Sequence, residues 1–404
     1  MLSDGERMLG GLLRASHTAT LEDTVPLIAG HAALSGFTHT KVYVCDLRQL
    51  TLVPLPGQVD ARGVPLTPVS IDTTMPGRSF RDVEVVRAKA EDEPAAVQLW
   101  VPLIDGTERI GVLGATVQTV DETVEWRARQ LASLVALILV SKRGSSDSWA
   151  ALVRGEPMLL SAEVLWNLLP HGSFANDRVV FSAALEPAYE VGGDAYDYGI
   201  AGDNLHVSIF DAMGHDLSAT LTATMAIGAC RNSRLAGKDL LATSEGIDAA
   251  IGEQFGRTRF ATGILADLDM DTGELTWINR GHHPPLVVRD GRLVASLDSE
   301  LPSPPMGFGL GLSSGLERYQ LQRGDRLLLY TDGIIEAQNP AGEQFGLERF
   351  VDFIVRHEAG GLSAPETLRR LINSILDHQR GRLQDDATVV TVEWQADRQA
   401  TMTI

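Results

Sequence analysis

Four aspartates lie far apart in the chain, each at the edge of a β-like run. They are Asp194 in Glu190-Val-Gly-Gly-Asp-Ala-Tyr-Asp197, Asp211 in Asp211-Ala-Met-Gly-His215, Asp332 in Tyr330-Thr-Asp-Gly-Ile334 and Asp385 in Gln384-Asp-Asp-Ala-Thr388. Three adjoin a readable apolar strand: Leu205–Phe210 before Asp211, Arg326–Tyr330 before Asp332, and Ala387–Trp394 after Asp385. Carboxylates at strand ends are held by a sheet and can converge although distant in sequence. Once together they repel one another unless cations neutralise them. All-oxygen ligation suits magnesium, manganese or calcium rather than zinc. The first expectation is therefore a two-metal hydrolytic site.

The elements that must position these residues divide the chain in two. With 404 residues, 44% of them apolar and 22% charged, two globular domains are expected. A net charge of −19 argues against nucleic acid as a partner and against docking on an anionic membrane face. The opening Met1-Leu-Ser-Asp-Gly-Glu-Arg7 does not read as a secretory signal. The longest apolar run, Leu131–Val140, is roughly half the length that spans a bilayer. Cys45 and Cys230 sit in apolar stretches and read as buried free thiols of a reducing compartment, so a cytoplasmic location is expected.

Residues 1–143 open with helical spacing, continue through the strand-like Lys41-Val-Tyr-Val-Cys-Asp46, and carry a hairpin signal at Asp105-Gly106. They close on a helix from Asp121 to Lys142, in which Leu131, Leu134, Val135 and Ile138 make one apolar stripe. That stripe could pair two chains, so a homodimer is expected, with packing inside its own domain as the plainer alternative. Gly144-Ser-Ser-Asp-Ser148 punctuates the chain, and residues 144–170 read as a linker with a helix over Ser161–Leu169. Strand patterns then alternate with helical ones, including Ser218–Arg234 and Pro365–Gln379, as far as residue 395; residues 396–404 read as a polar tail. Asp267-Leu-Asp-Met-Asp-Thr-Gly273 fails the calcium-loop pattern and is expected to be a hairpin turn between strands Thr262–Leu268 and Glu274–Asn279. His282-His283, followed by two prolines, reads as a rigid turn that could border the site.

The C-terminal motifs resemble the SpoIIE/RsbU branch of the metal-dependent serine/threonine phosphatases, which share the type 2C protein phosphatase fold. The matching pieces are Val191-Gly-Gly-Asp194 with Tyr196-Asp197, Asp211-Ala-Met-Gly-His215, Asn279-Arg-Gly-His-His-Pro-Pro285, Leu329-Tyr-Thr-Asp-Gly-Ile-Ile-Glu336 and Asp385-Asp-Ala-Thr388, in the family's order. Residues 1–143 are similar to a GAF domain, on the softer pattern Pro76-Gly-Arg-Ser-Phe80, Trp100-Val-Pro-Leu103 and Ile110-Gly-Val-Leu113. The resemblance implies an α+β chain: a GAF-like antiparallel sheet with helices, then an α-β-β-α sandwich over 171–395.

It also implies two Mn²⁺ or Mg²⁺ ions. Asp211 would bridge both, with the Ala212 carbonyl on the first; Asp332 and Asp385 would hold the second, and Asp194 would complete the first directly or through water. Such a pair activates a water for in-line attack on phosphorus with no phospho-enzyme. The implied activity is removal of phosphate from serine or threonine of a partner protein, by resemblance a STAS-type anti-sigma-factor antagonist. The GAF-like domain would gate it through an unidentified ligand.

Asp386 reads as structural beside Asp385, and Asp197 as either orienting a ligand or capping a turn. The chain lacks the wider group's arginine–acid cluster near Asp194 and a histidine two residues after Asp211. The general acid and phosphate clamp are therefore unassigned, and a structural part for His215 is the simpler reading. A catalytically silent, GAF-gated module that grips a phosphoprotein is the alternative.

Overall fold

The computed structural model describes residues 3–90, 93–299, 303–311, 315–381 and 383–394, so the expected polar tail at 396–404 lies outside the described residues. The chain divides into two compact units, residues 1–157 and a second beginning at Met158. This division falls inside the stretch read as a linker.

In the first unit the elements are α1 (Asp4–Ser16), α2 (Leu21–Ala32), β1 (Thr38–Cys45), β2 (Thr51–Pro54), β3 (Val69–Ser70), α3 (Met75–Asp82), β4 (Val86–Lys89), β5 (Val97–Asp105), β6 (Glu108–Val117), α4 (Glu122–Arg143) and α5 (Asp147–Val153). The strands form one antiparallel sheet in the order β3-β2-β1-β6-β5-β4. Gly106 turns β5 into β6 with φ +58°, as the Asp-Gly signal required. Asp121 starts α4 by accepting the Val124 N–H at 2.8 Å.

The stripe on α4 is spent at home. Leu131, Val135 and Ile138 are buried in the same core as Met8, Leu12, Ile28 and Val101, with Leu134 packed against it. The face offered for homodimer pairing is thus largely used inside its own unit. The expected linker is also more structured than its composition suggests. Ser146 accepts the Trp149 N–H at 3.1 Å and starts α5, so Asp147 and Ser148 are helical. Cys45 is only half-buried, while Cys230 is buried.

The second unit contains α6 (Leu160–Leu168), β7 (Ser173–Ala175), β8 (Val179–Glu186), β9 (Asp194–Ala201), β10 (Asn204–Ala212), α7 (Leu217–Leu235), α8 (Leu240–Phe255), β11 (Ala261–Asp269), β12 (Glu274–Arg280), β13 (Leu286–Arg289), β14 (Arg292–Ser296), β15 (Glu317–Gln320), β16 (Arg326–Tyr330), α9 (Asp332–Ile335), α10 (Leu347–Ala359), α11 (Ala364–His378) and β17 (Ala387–Trp394). Two antiparallel sheets result, β15-β12-β11-β10-β9 and β14-β13-β16-β17-β8-β7. β11 and β12 are the hairpin expected around Gly273.

The two-residue period of a strand sorts its side chains between two destinations. Val207 and Ile209 of β10 join Phe181 of β8 and Val390 and Val392 of β17 in the core that also takes Ala223 and Ile227 of α7. Leu328 and Tyr330 of β16 and Val389 of β17 instead join Phe350 of α10 and Leu371 and Ile375 of α11 in a separate core. Helices thus cover the outer faces, and the unit is an α-β-β-α sandwich. The whole chain is α+β.

Candidate metal centre

Alternation along the strands also decides where the aspartates go. In β9, Asp194 shares a face with Tyr196, which packs on Phe181 of the opposite sheet. Asp211 pairs directly with Asp194 across β9 and β10. From the second sheet, Thr331 at the end of β16 and Thr388 in β17 both reach Asp194. Their hydroxyls donate to its Oδ2 at 2.6 and 2.7 Å. Asp332 follows Thr331 as the first residue of α9. Asp385 and Asp386 immediately precede β17, and the Asp385 carboxylate accepts the Asp386 N–H at 2.9 Å.

Asp386 reaches back across 192 residues of chain to hold the turn ahead of β9. Its Oδ2 accepts the N–H groups of Gly192 at 2.9 Å, Gly193 at 2.7 Å and Asp194 at 3.3 Å. The structural reading of Asp386 thereby acquires a mechanism. The Gly-Gly pair is needed for room. A Cβ on Gly192 would stand 2.5 Å from the His215 carbonyl oxygen, and one on Gly193 would stand 2.6 Å from those of Ala212 and Gly214. Gly333 is equally confined, since a Cβ there would lie 1.8 Å from the Asp386 carbonyl oxygen.

The electrostatics report a crowd of like charges. Burial raises Asp194 well above the usual carboxylate range, and Asp211 and Asp386 push it further against the two threonine hydroxyls. Asp211 is pushed up to about 7, first by burial and then by Asp332, Asp385 and Asp386. Burial also raises Asp385, with Asp332 adding to the effect, while the Asp386 N–H and the exposed His215 pull the other way. Burial raises Asp386 too, opposed by its three backbone donors. Asp194, Asp211, Asp332 and Asp385, with Asp386 beside them, thus form one electrostatic cluster. Among the described residues no three acidic or histidine side chains are already gathered as a ready coordination shell.

Asp197 does neither of the things its motif suggested. One residue out of phase with Asp194 and Tyr196, it faces α7 and is fully buried. It accepts from the Arg231 guanidinium at 2.6 and 3.0 Å and from Arg234 at 3.1 Å. It anchors the helix that Asp216 starts by accepting the Ala219 N–H at 2.9 Å. Sequence reading missed this pair of arginines because a helix partner 34 and 37 residues downstream leaves no local pattern.

His282 stands beside the cluster and bonds to both sheets. Thr262 lies directly opposite Asp211 in β11, and its hydroxyl is 2.9 Å from His282 Nδ1. His282 Nε2 is 3.1 Å from the Tyr330 carbonyl oxygen. Arg280 of the same motif is buried away from the cluster, donating to the Pro304 carbonyl at 2.7 Å and to Ser244 Oγ at 2.6 Å.

An antiparallel α-β-β-α sandwich with aspartates at its strand ends defines a class of protein built around an acidic centre. Residues 201–395 match the family model described as Stage II sporulation protein E (SpoIIE), slightly under half of the chain. Asp211, Asp332 and Asp385 fall within the match, and Asp194 lies just before it. The chain is 25% identical over 259 residues to Protein IcfG of Synechocystis sp., a match covering 57% of this chain and 40% of that protein. It is 24% identical over 240 residues to Phosphoserine phosphatase RsbU of Bacillus subtilis, covering 58% and 68%. A solved structure of the RsbU and RsbW domains of Rv1364c from Mycobacterium tuberculosis superposes with a TM-score of 0.47 at 24% identity, over 54% of this chain and 62% of that one. The chain therefore spans well under half of the first of these relatives. No helix among the described residues is long and apolar enough to cross a membrane.

Proposed function

We propose that the second unit is a cytoplasmic, metal-dependent phosphoserine/phosphothreonine protein phosphatase. The observation that carries this reading is the cluster itself: burial and mutual repulsion raise Asp194, Asp211 and Asp385 together, which is a demand for cations. The donors are all oxygen, which fits Mn²⁺ or Mg²⁺. Asp211, the Ala212 carbonyl, Asp332, Asp385 and Asp194 would hold two ions. When bound, the pair supplies Lewis acidity toward a water and toward the phosphoryl oxygens.

The chain's own residues do the placing. Thr331 and Thr388 fix one oxygen of Asp194, leaving the other for the centre. Asp386 keeps the turn that aims Asp194 inward. His215 is exposed and near enough to influence Asp385, so its ring is placed to meet an incoming phosphate.

The substrate we propose is a phosphorylated signalling partner, a STAS-type anti-sigma-factor antagonist by resemblance. The first unit is proposed as the GAF-like sensor, covering 1–143 and gating residues 171–395 through 144–170. A cavity of about 460 Å³ in that unit supports the sensor reading; its lining includes Lys41, Trp100, Gln98, Thr116 and Met75. The Lys41 ammonium lies 5.9 Å from the centre of the Trp100 ring. A Lys41→Glu chain is expected to change the full-length turnover rate, and an identical rate would remove the cavity from regulation.

The alternative is a catalytically silent module that grips a phosphoprotein, and the four intact aspartates Asp194, Asp211, Asp332 and Asp385 speak against it. Hydrolysis of p-nitrophenyl phosphate separates the two, run with Mn²⁺, with EDTA, and with Asp211→Ala and Asp332→Ala. Metal-dependent turnover lost in both variants is the expected result. Phosphoprotein binding without turnover, from chain that calorimetry shows to be Mn²⁺-loaded, would establish the silent module instead. The homodimer proposal rests on the same full-length protein and is tested by its mass in solution.

A further inference from the structure

We propose that His282 is a positioning residue for the carboxylate cluster, hydrogen-bonding the Asp211 edge of one sheet to the Asp332 turn of the other. Its significance for metal rests on the two-metal reading above; the hydrogen-bonded frame does not.

The backbone fixes the ring first. Asn279 brackets the His282 peptide: its Nδ2 donates to the His282 carbonyl at 2.9 Å and its Oδ1 accepts the His282 N–H at 2.8 Å. The tautomer then follows from the partners. A carbonyl oxygen can only accept, so Nε2 carries the proton that goes to Tyr330 at 3.1 Å. Nδ1 is left with a lone pair and accepts the Thr262 hydroxyl at 2.9 Å. The residue keeps some exposed surface, but both ring nitrogens are engaged inside. Burial, with His283 alongside, pushes the imidazole down to about 3, which keeps it in this neutral form. The adjacent His283 stacks on the Tyr330 ring at 5.5 Å and 16°, so the dipeptide holds Tyr330 by both its ring and its carbonyl.

The contacts close into a circuit. Thr262 is paired with Asp211, and Asp211 with Asp194. Asp194 accepts from Thr331, the residue after Tyr330 and before Asp332. Tyr330 accepts from His282, which returns to Thr262. The circuit passes through both sheets and carries Asp194, Asp211 and the start of α9. Hydrogen-bonded partners that orient metal ligands typically matter by about 10–100-fold in metal affinity.

The experiment uses the full chain and two readouts. Mn²⁺ affinity is measured by titration calorimetry on wild type, His282→Ala, His282→Gln and Thr262→Val. Amide exchange over residues 331–334 is measured in EDTA. We expect His282→Ala to weaken Mn²⁺ binding at least about tenfold and to speed exchange of the 331–334 amides. Gln, which can both donate and accept, should recover most of the loss. Thr262→Val, which removes only the Nδ1 contact and keeps the strand intact should His282→Ala fail to fold, is expected to weaken binding roughly threefold. A purely structural strut would lower thermal stability while leaving Mn²⁺ affinity of the folded variants within twofold of wild type, and that result overturns the proposal. Wild-type chain that binds no Mn²⁺ would sink the two-metal reading. The frame would then stand or fall on whether His282→Ala changes the exchange.

Discussion

Replacing Asp211 by Asn should make the metal-free protein more stable, and the gain should grow with pH. Asp211 is pushed from the ordinary 3.8 to about 7 by burial and by Asp332, Asp385 and Asp386. Between those two values the native state holds a proton that the unfolded state has released. Stability therefore falls as pH rises through that window, and the loss is complete above it. At 1.36 kcal/mol per unit, the charged carboxylate costs the metal-free fold about 4 kcal/mol at pH 8 and less than half of that at pH 5. Asn keeps the shape and removes the charge. In EDTA, urea unfolding should therefore place Asp211→Asn above wild type by about 2–4 kcal/mol at pH 8, with the gap shrinking on acidification.

Two histidines also make stability depend on pH. His206 is opposed by burial but raised to about 9 by Asp267 and Cys230, and His282 is lowered to about 3 by burial. Both are present in the two proteins and cancel in the difference. Adding Mn²⁺ at 100 times its Kd should close most of the gap, because wild type then gains about 2.7 kcal/mol that the variant cannot. A metal-free Asp211→Asn no more stable than wild type at pH 8, or a gap that ignores pH, would refute the claim that these carboxylates are held together against their own repulsion.

Other substitutions test the surroundings. Gly333→Ala puts a methyl 1.8 Å from the Asp386 carbonyl oxygen, so the Asp332 turn must move; thermal unfolding and Mn²⁺-dependent turnover should both suffer, the latter by at least about tenfold. Arg231→Ala leaves the buried Asp197 with Arg234 alone and should cost about 3 kcal/mol by urea unfolding, with turnover per folded molecule little changed. Ile138→Glu buries a carboxylate in the first unit's core and should lower that unit's stability; a change of oligomeric mass with no loss of stability would show instead that the stripe is an interface.

The strands that adjoin Asp211, Asp332 and Asp385 were legible because an apolar run with an acid beside it is a local pattern. The long helices were legible for the same reason, with α4 starting one residue after the Asp121 that caps it. What sequence could not supply was anything decided by distant packing. Asp386 bonding to Gly192 and Gly193, Asp197 pairing with Arg231, and His282 reaching Tyr330 all join segments that share no spacing. The glycines illustrate the difference well. Their presence beside the acids was visible, but the reason at Gly192, Gly193 and Gly333 is a carbonyl oxygen from another part of the chain, which only the fold reveals.

β9 shows how one strand can serve stability and chemistry without compromise between them. Asp194 and Asp197 are both buried acids three residues apart, so alternation must send them to opposite faces. Asp197 meets two guanidinium groups on the helix side and is neutralised by protein alone. Asp194 meets only hydroxyls and further carboxylates on the sheet side, so the protein leaves its charge uncompensated. A fold selected for stability alone would treat the two alike. That arginines meet Asp197 on one face while Asp194 meets none on the other is what the proposed metal site requires, a face whose charge is left for a cation from outside.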